Sequence, residues 1–201
     1  MAYLNGKKIS FSPRVTIDGY DSGYSDGQKD ILAICMDGAT SLASAFSGFS
    51  ITSFPSMDLS DYTSFPSTFS NCAALTTVGN LNTENGTSFI GMFSGCSSLV
   101  AVEGINLSSC GSNISCTNIF SNCSSLNTLN INGIIKTSLN VSPAALTNNS
   151  YKSILTALSP EKITNATLTL ATAAETIITG DSELNTLYNT ALTNGWTISF
   201  A

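Results

Sequence analysis

Between residues 40 and 123 the apolar positions of the chain recur in one short phrase. It reads Phe46-Ser47-Gly48-Phe49, then Phe69-Ser70-Asn71-Cys72, Phe93-Ser94-Gly95-Cys96 and Phe120-Ser121-Asn122-Cys123, with successive phenylalanines 23, 24 and 27 residues apart. Four residues and one residue before each phenylalanine stand Leu42 and Ala45, Phe65 and Thr68, Phe89 and Met92, Cys116 and Ile119. With the residue three after the Phe, the offsets are i, i+3, i+4 and i+7, which put four side chains on one face of a short helix. Thr40-Ser41, Thr63-Ser64, Thr87-Ser88 and Ser115 supply hydroxyls where an N-cap is wanted. Gly48, Asn71, Gly95 and Asn122 follow the turn, and these residue types best tolerate the left-handed conformation that ends a helix.

After each phrase comes Leu75-x-x-Val78-x-x-Leu81, Leu99-x-x-Val102-x-x-Ile105 or Leu126-x-x-Leu129-x-Ile131, with a slipped version, Ile51-x-x-Phe54, in the first unit. Each predicts a strand of a few residues whose neighbours come from the units before and after. One unit cannot bury its own apolar face, so the units must stack. Cys72, Cys96 and Cys123 share a register and should form a column of small buried thiols.

The ends differ from the middle. Asn5-Gly6 between Tyr3-Leu4 and Ile9-Phe11 predicts a hairpin. In the following run, Gly19, Tyr20, Gly23, Tyr24 and Gly27 recur at four-residue steps, which suits either a helix presenting a glycine stripe to another helix, a candidate oligomerisation surface, or a flexible linker. Near the other end, Tyr151, Ile154, Leu155 and Leu158 mark a helix stopped by Pro160, and Thr167-Leu168-Thr169-Leu170 alternates as a strand. Leu184, Leu187, Tyr188 and Ala191 mark a second helix ended by Asn194-Gly195, and Trp196 to Phe200 alternates again. Strand, helix, strand implies a parallel pair with a right-handed crossover, able to cover the open edge of the last unit. The expected architecture is α/β: parallel strands with short helices over residues 40–134, an N-terminal attachment or capping segment over 1–39 and a C-terminal α/β cap over 135–201.

Composition narrows the function. Charged residues make up only 10% of the 201, and the polar remainder is dominated by Ser, Thr and Asn, so the surface is neutral and rich in hydroxyls. The net charge is -6 with no basic cluster, which argues against nucleic acid and anionic membrane surfaces as partners. The chain has no histidine, removing the usual general base, the Ser/His and Cys/His nucleophile pairs and the commonest transition-metal ligand. No enzyme activity, cofactor or metal is expected. Met1 to Lys8 lacks the layout of a secretory signal, and no stretch approaches the ~18 apolar residues of a membrane span, so folding in the cytoplasm is expected.

The units resemble the BspA-like leucine-rich repeats, written roughly Met-Phe-x-x-Cys-x-x-Leu-x-x-Val. Met92 to Val102 and Ile119 to Leu129 match closely, the unit at Phe69 well and that at Phe46 loosely, covering about residues 40 to 131. The repeat-core residues this resemblance picks out are Phe46, Phe69, Cys72, Leu75, Phe93, Cys96, Leu99, Phe120, Cys123 and Leu126. The opening, the glycine–tyrosine run and the Thr-Leu-Thr-Leu and Asn194-Gly195-Trp196-Thr197 ending resemble what accompanies such repeats in virion proteins of phages infecting Firmicutes and gut bacteria. Bacterial relatives are secreted adhesins with a signal peptide. Its absence here favours the virion, since phage particles assemble in the cytoplasm and leave by lysis. The resemblance thus implies a non-enzymatic virion structural or adhesion protein displaying a repeat surface to a host glycan or protein, attached to other virion proteins or sister subunits through its N-terminal segment. Two alternatives stay open: a fragment of a bacterial cell-surface adhesin, and a decoration protein without ligand.

Other chemistries have less support. Cys35, Cys72, Cys96, Cys110, Cys116 and Cys123 contain no Cys-x-x-Cys pair, so reduced core thiols are expected, with Cys110 and Cys116 the pair to check for a bond. The spacing of Asp18, Asp21, Asp26 and Asp30 does not fit a calcium loop. Glu84 and Glu103 both follow predicted strands but occupy different positions in their units, against a shared hydrolytic cleft. The Asn-x-Ser/Thr triplets at Asn85, Asn106, Asn113, Asn122, Asn140, Asn148 and Asn165 are those expected by chance in so Asn-, Ser- and Thr-rich a chain.

Overall fold

The computed structural model describes residues 2–4, 7–9 and 40–201. Strands β1 (Ala2–Leu4) and β2 (Lys7–Ile9) pair antiparallel with Leu4 opposite Lys7, the register a two-residue connection requires. The glycine–tyrosine run and Cys35 lie outside the described residues.

The remainder is α/β, with two parallel sheets and a few short helices. The first sheet holds β3 (Ser53–Phe54), β4 (Met57–Asp58), β5 (Thr77–Asn82), β6 (Ala101–Ile105) and β7 (Thr128–Ile131), where β3 and β4 both pair with β5 and the order continues through β6 to β7. Pairing joins equivalent positions of successive units: Phe54 with Val78, Val78 with Val102, Val102 with Leu129. Those residues point inward and the side chains between them point out, which is why the apolar residues fall every third position and not every second: Val78 and Leu81 are separated by the small pair Gly79-Asn80.

The segments around the four phenylalanines are not helices. Each is a run of consecutive turns in which the amides alternate between two uses. Ala45, Ser47 and Phe49 donate to carbonyls three residues back, Leu42, Ser44 and Phe46, whereas Leu42, Ser44, Phe46 and Gly48 donate across to Ser64, Pro66, Thr68 and Ser70 of the next unit. The same alternation runs from Phe65, Ser67, Phe69 and Asn71 to Ser88, Ile90, Met92 and Ser94, and from Phe89, Gly91, Phe93 and Gly95 to Ser115, Thr117, Ile119 and Ser121. A helix would spend every amide within the segment; here half of them join neighbouring units. The backbone accommodates this with two left-handed residues per unit, two before and two after the phenylalanine: Ser44 and Gly48, Ser67 and Asn71, Gly91 and Gly95, Asn118 and Asn122, with φ between 55° and 80°. The second of each pair is the Gly/Asn column; the first excludes a helix there. The hydroxyls expected to cap these helices instead bind between units, Thr87 Oγ1 donating to Thr63 O at 3.0 Å and Thr63 Oγ1 to Thr40 O at 3.5 Å.

Helix α1 (Asn148–Ala157) begins at Thr147, whose hydroxyl accepts from the Ser150 amide, and buries Tyr151, Ile154 and Leu155. It lies against β7 and closes that strand's outer edge: Leu129 N–H donates to Ser150 Oγ at 2.9 Å and Ile131 N–H to Ser153 Oγ at 2.8 Å. The edge of the last unit is therefore covered by α1 and its serines. The strand–helix–strand unit expected to cover it forms a separate parallel sheet, ordered β10 (Thr197–Phe200), β9 (Thr167–Leu170), β8 (Leu139–Asn140). Between β9 and β10 run α2 (Thr172–Gly180) and α3 (Ser182–Thr193), the latter started by Asp181, whose carboxylate accepts from the amides of Glu183 and Leu184. Trp196, buried after Gly195, donates its indole N–H to Ser159 O at 2.9 Å and fastens the start of β10 to the end of α1.

Candidate functional site

Inside the sheet the units meet ring on ring. Phe46, Phe69, Phe93 and Phe120 stack with centroids 5.2, 5.4 and 5.6 Å apart and interplanar angles of 11°, 2° and 3°; Phe65 and Phe89 form a second stacked pair at 5.1 Å. Beside the rings, Cys72 Sγ donates to Phe46 O, Cys96 Sγ to Phe69 O and Cys123 Sγ to Phe93 O, at 3.0, 3.0 and 3.1 Å. Each thiol thus fills a space one residue wide and ties its unit to the one before. Thr68, equally buried, shares its hydroxyl proton one turn earlier between Phe65 O of its own unit at 2.8 Å and Leu42 O of the unit before at 3.0 Å. Burial raises all three thiols, Cys96 and Cys123 to about 12, so they stay protonated at neutral pH. With Leu75, Leu99 and Leu126 these residues form one continuous apolar body, and all ten repeat-core positions are buried within it.

The surface over this body is built from short neutral side chains. In one row Ser53, Thr77, Ala101 and Thr128 stand in register across β3, β5, β6 and β7, with Ala101 buried. Nearer the C-terminal ends of the strands, Asp58, Asn82 and Asn106 each accept from the amide two residues on, those of Ser60, Glu84 and Ser108, bending the chain out of the sheet. Asn82 also donates its side-chain amide to Asp58 Oδ1 at 3.0 Å; the bonds from Ser60, with that from Asn82, hold the Asp58 carboxyl below its ordinary range. Between the rows, Asn132 Nδ2 reaches across β6 to Asn80 Oδ1 at 2.6 Å. Gly104 lies beneath, and a Cβ there would run into both amides. The Asn132–Asn80 bridge was not readable from the sequence, because its two members stand 52 residues apart; the bare Gly104 within the strand was the one available sign.

The acidic candidates remain apart. Glu103 lies between Val102 and Gly104, which pair with Val78 and Asn80, so it stands level with Gly79, five residues short of Glu84. Cys110 and Cys116 are both free thiols with sulfurs 3.6 Å apart, against about 2.05 Å in a disulfide. Among the described residues no group of three or more His, Cys, Asp or Glu is placed to hold a metal ion, and no helix is long and apolar enough to cross a membrane. What the surface offers chemically is mainly uncharged donors and acceptors, hydroxyls and carboxamides on a sheet whose paired strands lie about 4.8 Å apart, with carboxylates at Asp58 and Glu103.

Comparison of the chain with models of known protein families, with curated proteins and with solved structures returns no match.

Proposed function

We propose that the chain is a short leucine-rich-repeat solenoid of the BspA-like kind, serving as a non-enzymatic structural and adhesion protein of a phage virion. The observation that carries this reading is the stack of equivalent positions: phenylalanine on phenylalanine, and each cysteine thiol on the carbonyl of the phenylalanine one unit back. Such a body spends its apolar residues on rigidity and leaves one broad face for recognition. That face carries Thr77, Asn80, Asn82, Thr128 and Asn132, groups that bond sugar hydroxyls or peptide amides, and the scarcity of charge makes the interaction one of shape and hydrogen bonds. The N-terminal segment, residues 1–39, attaches to other virion proteins or to sister subunits.

The test is the full chain, fluorescently labelled, applied to envelopes of candidate host bacteria and to immobilised envelope polysaccharide. Binding is expected to survive high salt and to be lost when Thr77 and Thr128 are both replaced by Lys with the melting temperature unchanged. Equal binding by that variant removes the sheet face from the mechanism. Absence of the chain from density-purified particles, by peptide mass spectrometry, refutes the virion assignment.

A further inference from the structure

The cysteines divide into two kinds. Cys72, Cys96 and Cys123 are each engaged with a carbonyl of the preceding unit at 3.0–3.1 Å. Cys110 and Cys116 instead face each other at 3.6 Å, with Gly86 O 3.9 Å from Cys110 Sγ. They flank the five residues Gly111 to Ser115, in the longest interval between the four repeated phenylalanines, the 27 residues from Phe93 to Phe120. This loop is exposed at Gly111, Ser112 and Ile114, the last 65% exposed, while both thiols beneath it are buried. It is also the bridge to the C-terminal part of the fold: Asn113 Nδ2 donates to Thr164 O at 2.8 Å, Thr137 Oγ1 to Ser112 O at 2.6 Å and Ser138 Oγ to Asn113 Oδ1 at 3.1 Å.

We infer that Cys110 and Cys116 are a site of reversible oxidation, reduced where the chain folds and converted to an intramolecular disulfide by a low-molecular-weight disulfide once the protein meets an oxidising medium. The step is two thiol–disulfide exchanges. One cysteine displaces a thiol from the reagent and forms a mixed disulfide; the other, already alongside, attacks that protein sulfur and displaces the second thiol. The protein loses two hydrogens, the reagent gains them as two thiols, and one S–S bond replaces another. The sulfurs need approach by only about 1.5 Å to reach bonding distance. The hydrogen bond shared with Cys110, and burial after it, hold Cys116 protonated, so the exchange is slow and waits on opening of the 111–115 loop. The other described thiols have no such partner, and closing the pair locks the loop that ties the repeats to the C-terminal sheet. The inference does not depend on whether the sheet face binds a ligand.

The test uses the native full chain incubated with oxidised glutathione at neutral pH, freed of the reagent at acid pH, unfolded in urea so that every remaining thiol is open to alkylation, alkylated, and digested with thermolysin, which cuts between Asn113 and Ile114. Two of the six thiols are expected to become unreactive together, with Cys110 and Cys116 peptides joined, and the melting temperature is expected to rise until dithiothreitol reverses both changes. In urea the same treatment is expected to scramble the pairing, showing that the fold selects it. Six alkylated cysteines after full exchange overturn the proposal, as does a bond that joins Cys35 or any of Cys72, Cys96 and Cys123. Cys110→Ser is expected to keep all its remaining thiols reactive; if it fails to fold, the wild-type peptide map still decides.

Discussion

Phe93 is fully buried with a ring on either side, Phe69 at 5.4 Å and Phe120 at 5.6 Å, both within 3° of parallel. Replacing it with leucine keeps most of the buried hydrocarbon but removes two aromatic contacts, each about 0.5–1.5 kcal/mol beyond area burial, so Phe93→Leu should cost about 1–3 kcal/mol. Phe93→Ala adds the lost transfer and an interior cavity, for about 3–5 kcal/mol in all. Set against a total stability of about 5–15 kcal/mol for a domain, the alanine variant is near the edge of folding. Phe120, equally buried, ends the column and stacks on Phe93 alone among the described residues, so Phe120→Leu should cost less than Phe93→Leu. Urea unfolding followed by circular dichroism, with the slope m unchanged, measures each value. The column is refuted as a stabilising element if Phe93→Leu and a leucine at an exposed site differ by less than about 0.5 kcal/mol.

The closure of β7 gives a second prediction. Ser150→Ala leaves the buried Leu129 amide without its acceptor and should cost about 1–3 kcal/mol by the same urea assay, against much less for Ser153→Ala, which is only partly buried. Gly104→Ala forces apart the Asn80 and Asn132 amides and should lower the melting temperature; in the Asn80→Ala background the added loss should shrink, and strict additivity would dissociate the glycine from the bridge. Cys96 and Cys123 titrate about 12 when folded against an ordinary 9.0, so the folded state holds these protons more tightly than the unfolded one. Their contribution is whole below pH 9 and is lost as pH rises from 9 toward 12, by at most about 1.4 kcal/mol per pH unit for each thiol. The urea midpoint of the wild type should therefore fall more steeply over that interval than that of a Cys96→Ala/Cys123→Ala double variant, and parallel curves would contradict the assignment.

The inward face was legible because apolar side chains advertise it whatever the backbone does. Phe69, Cys72, Phe93 and Cys96 occupy helical offsets, yet a run of turns with a left-handed residue every fourth position turns the same side chains inward. The discriminating sign was present in Gly91 and Asn118, which copy Gly95 and Asn122 four residues earlier; two left-handed residues that close together exclude a helix. The C-terminal strands and the helices of Tyr151 and Leu184 were readable from alternation and from the stops at Pro160 and Asn194-Gly195. Helix α2 was not, since Ala174 and Ile178 are its only buried residues and threonines occupy much of the rest. The serine closure of β7 and the amide bridge over Gly104 escape sequence reasoning for a different reason: both depend on which segments become neighbours.

The alternating amides also set an order of events during synthesis. Phe46 N–H finds its acceptor at Thr68 O, and Phe69 N–H at Met92 O, each more than twenty residues downstream. A unit leaving the ribosome is therefore incomplete until its successor has followed, and β7 must await Ser150 and Ser153. Ordering should trail translation by one unit throughout, with the leading phenylalanine ring always the one last exposed to solvent.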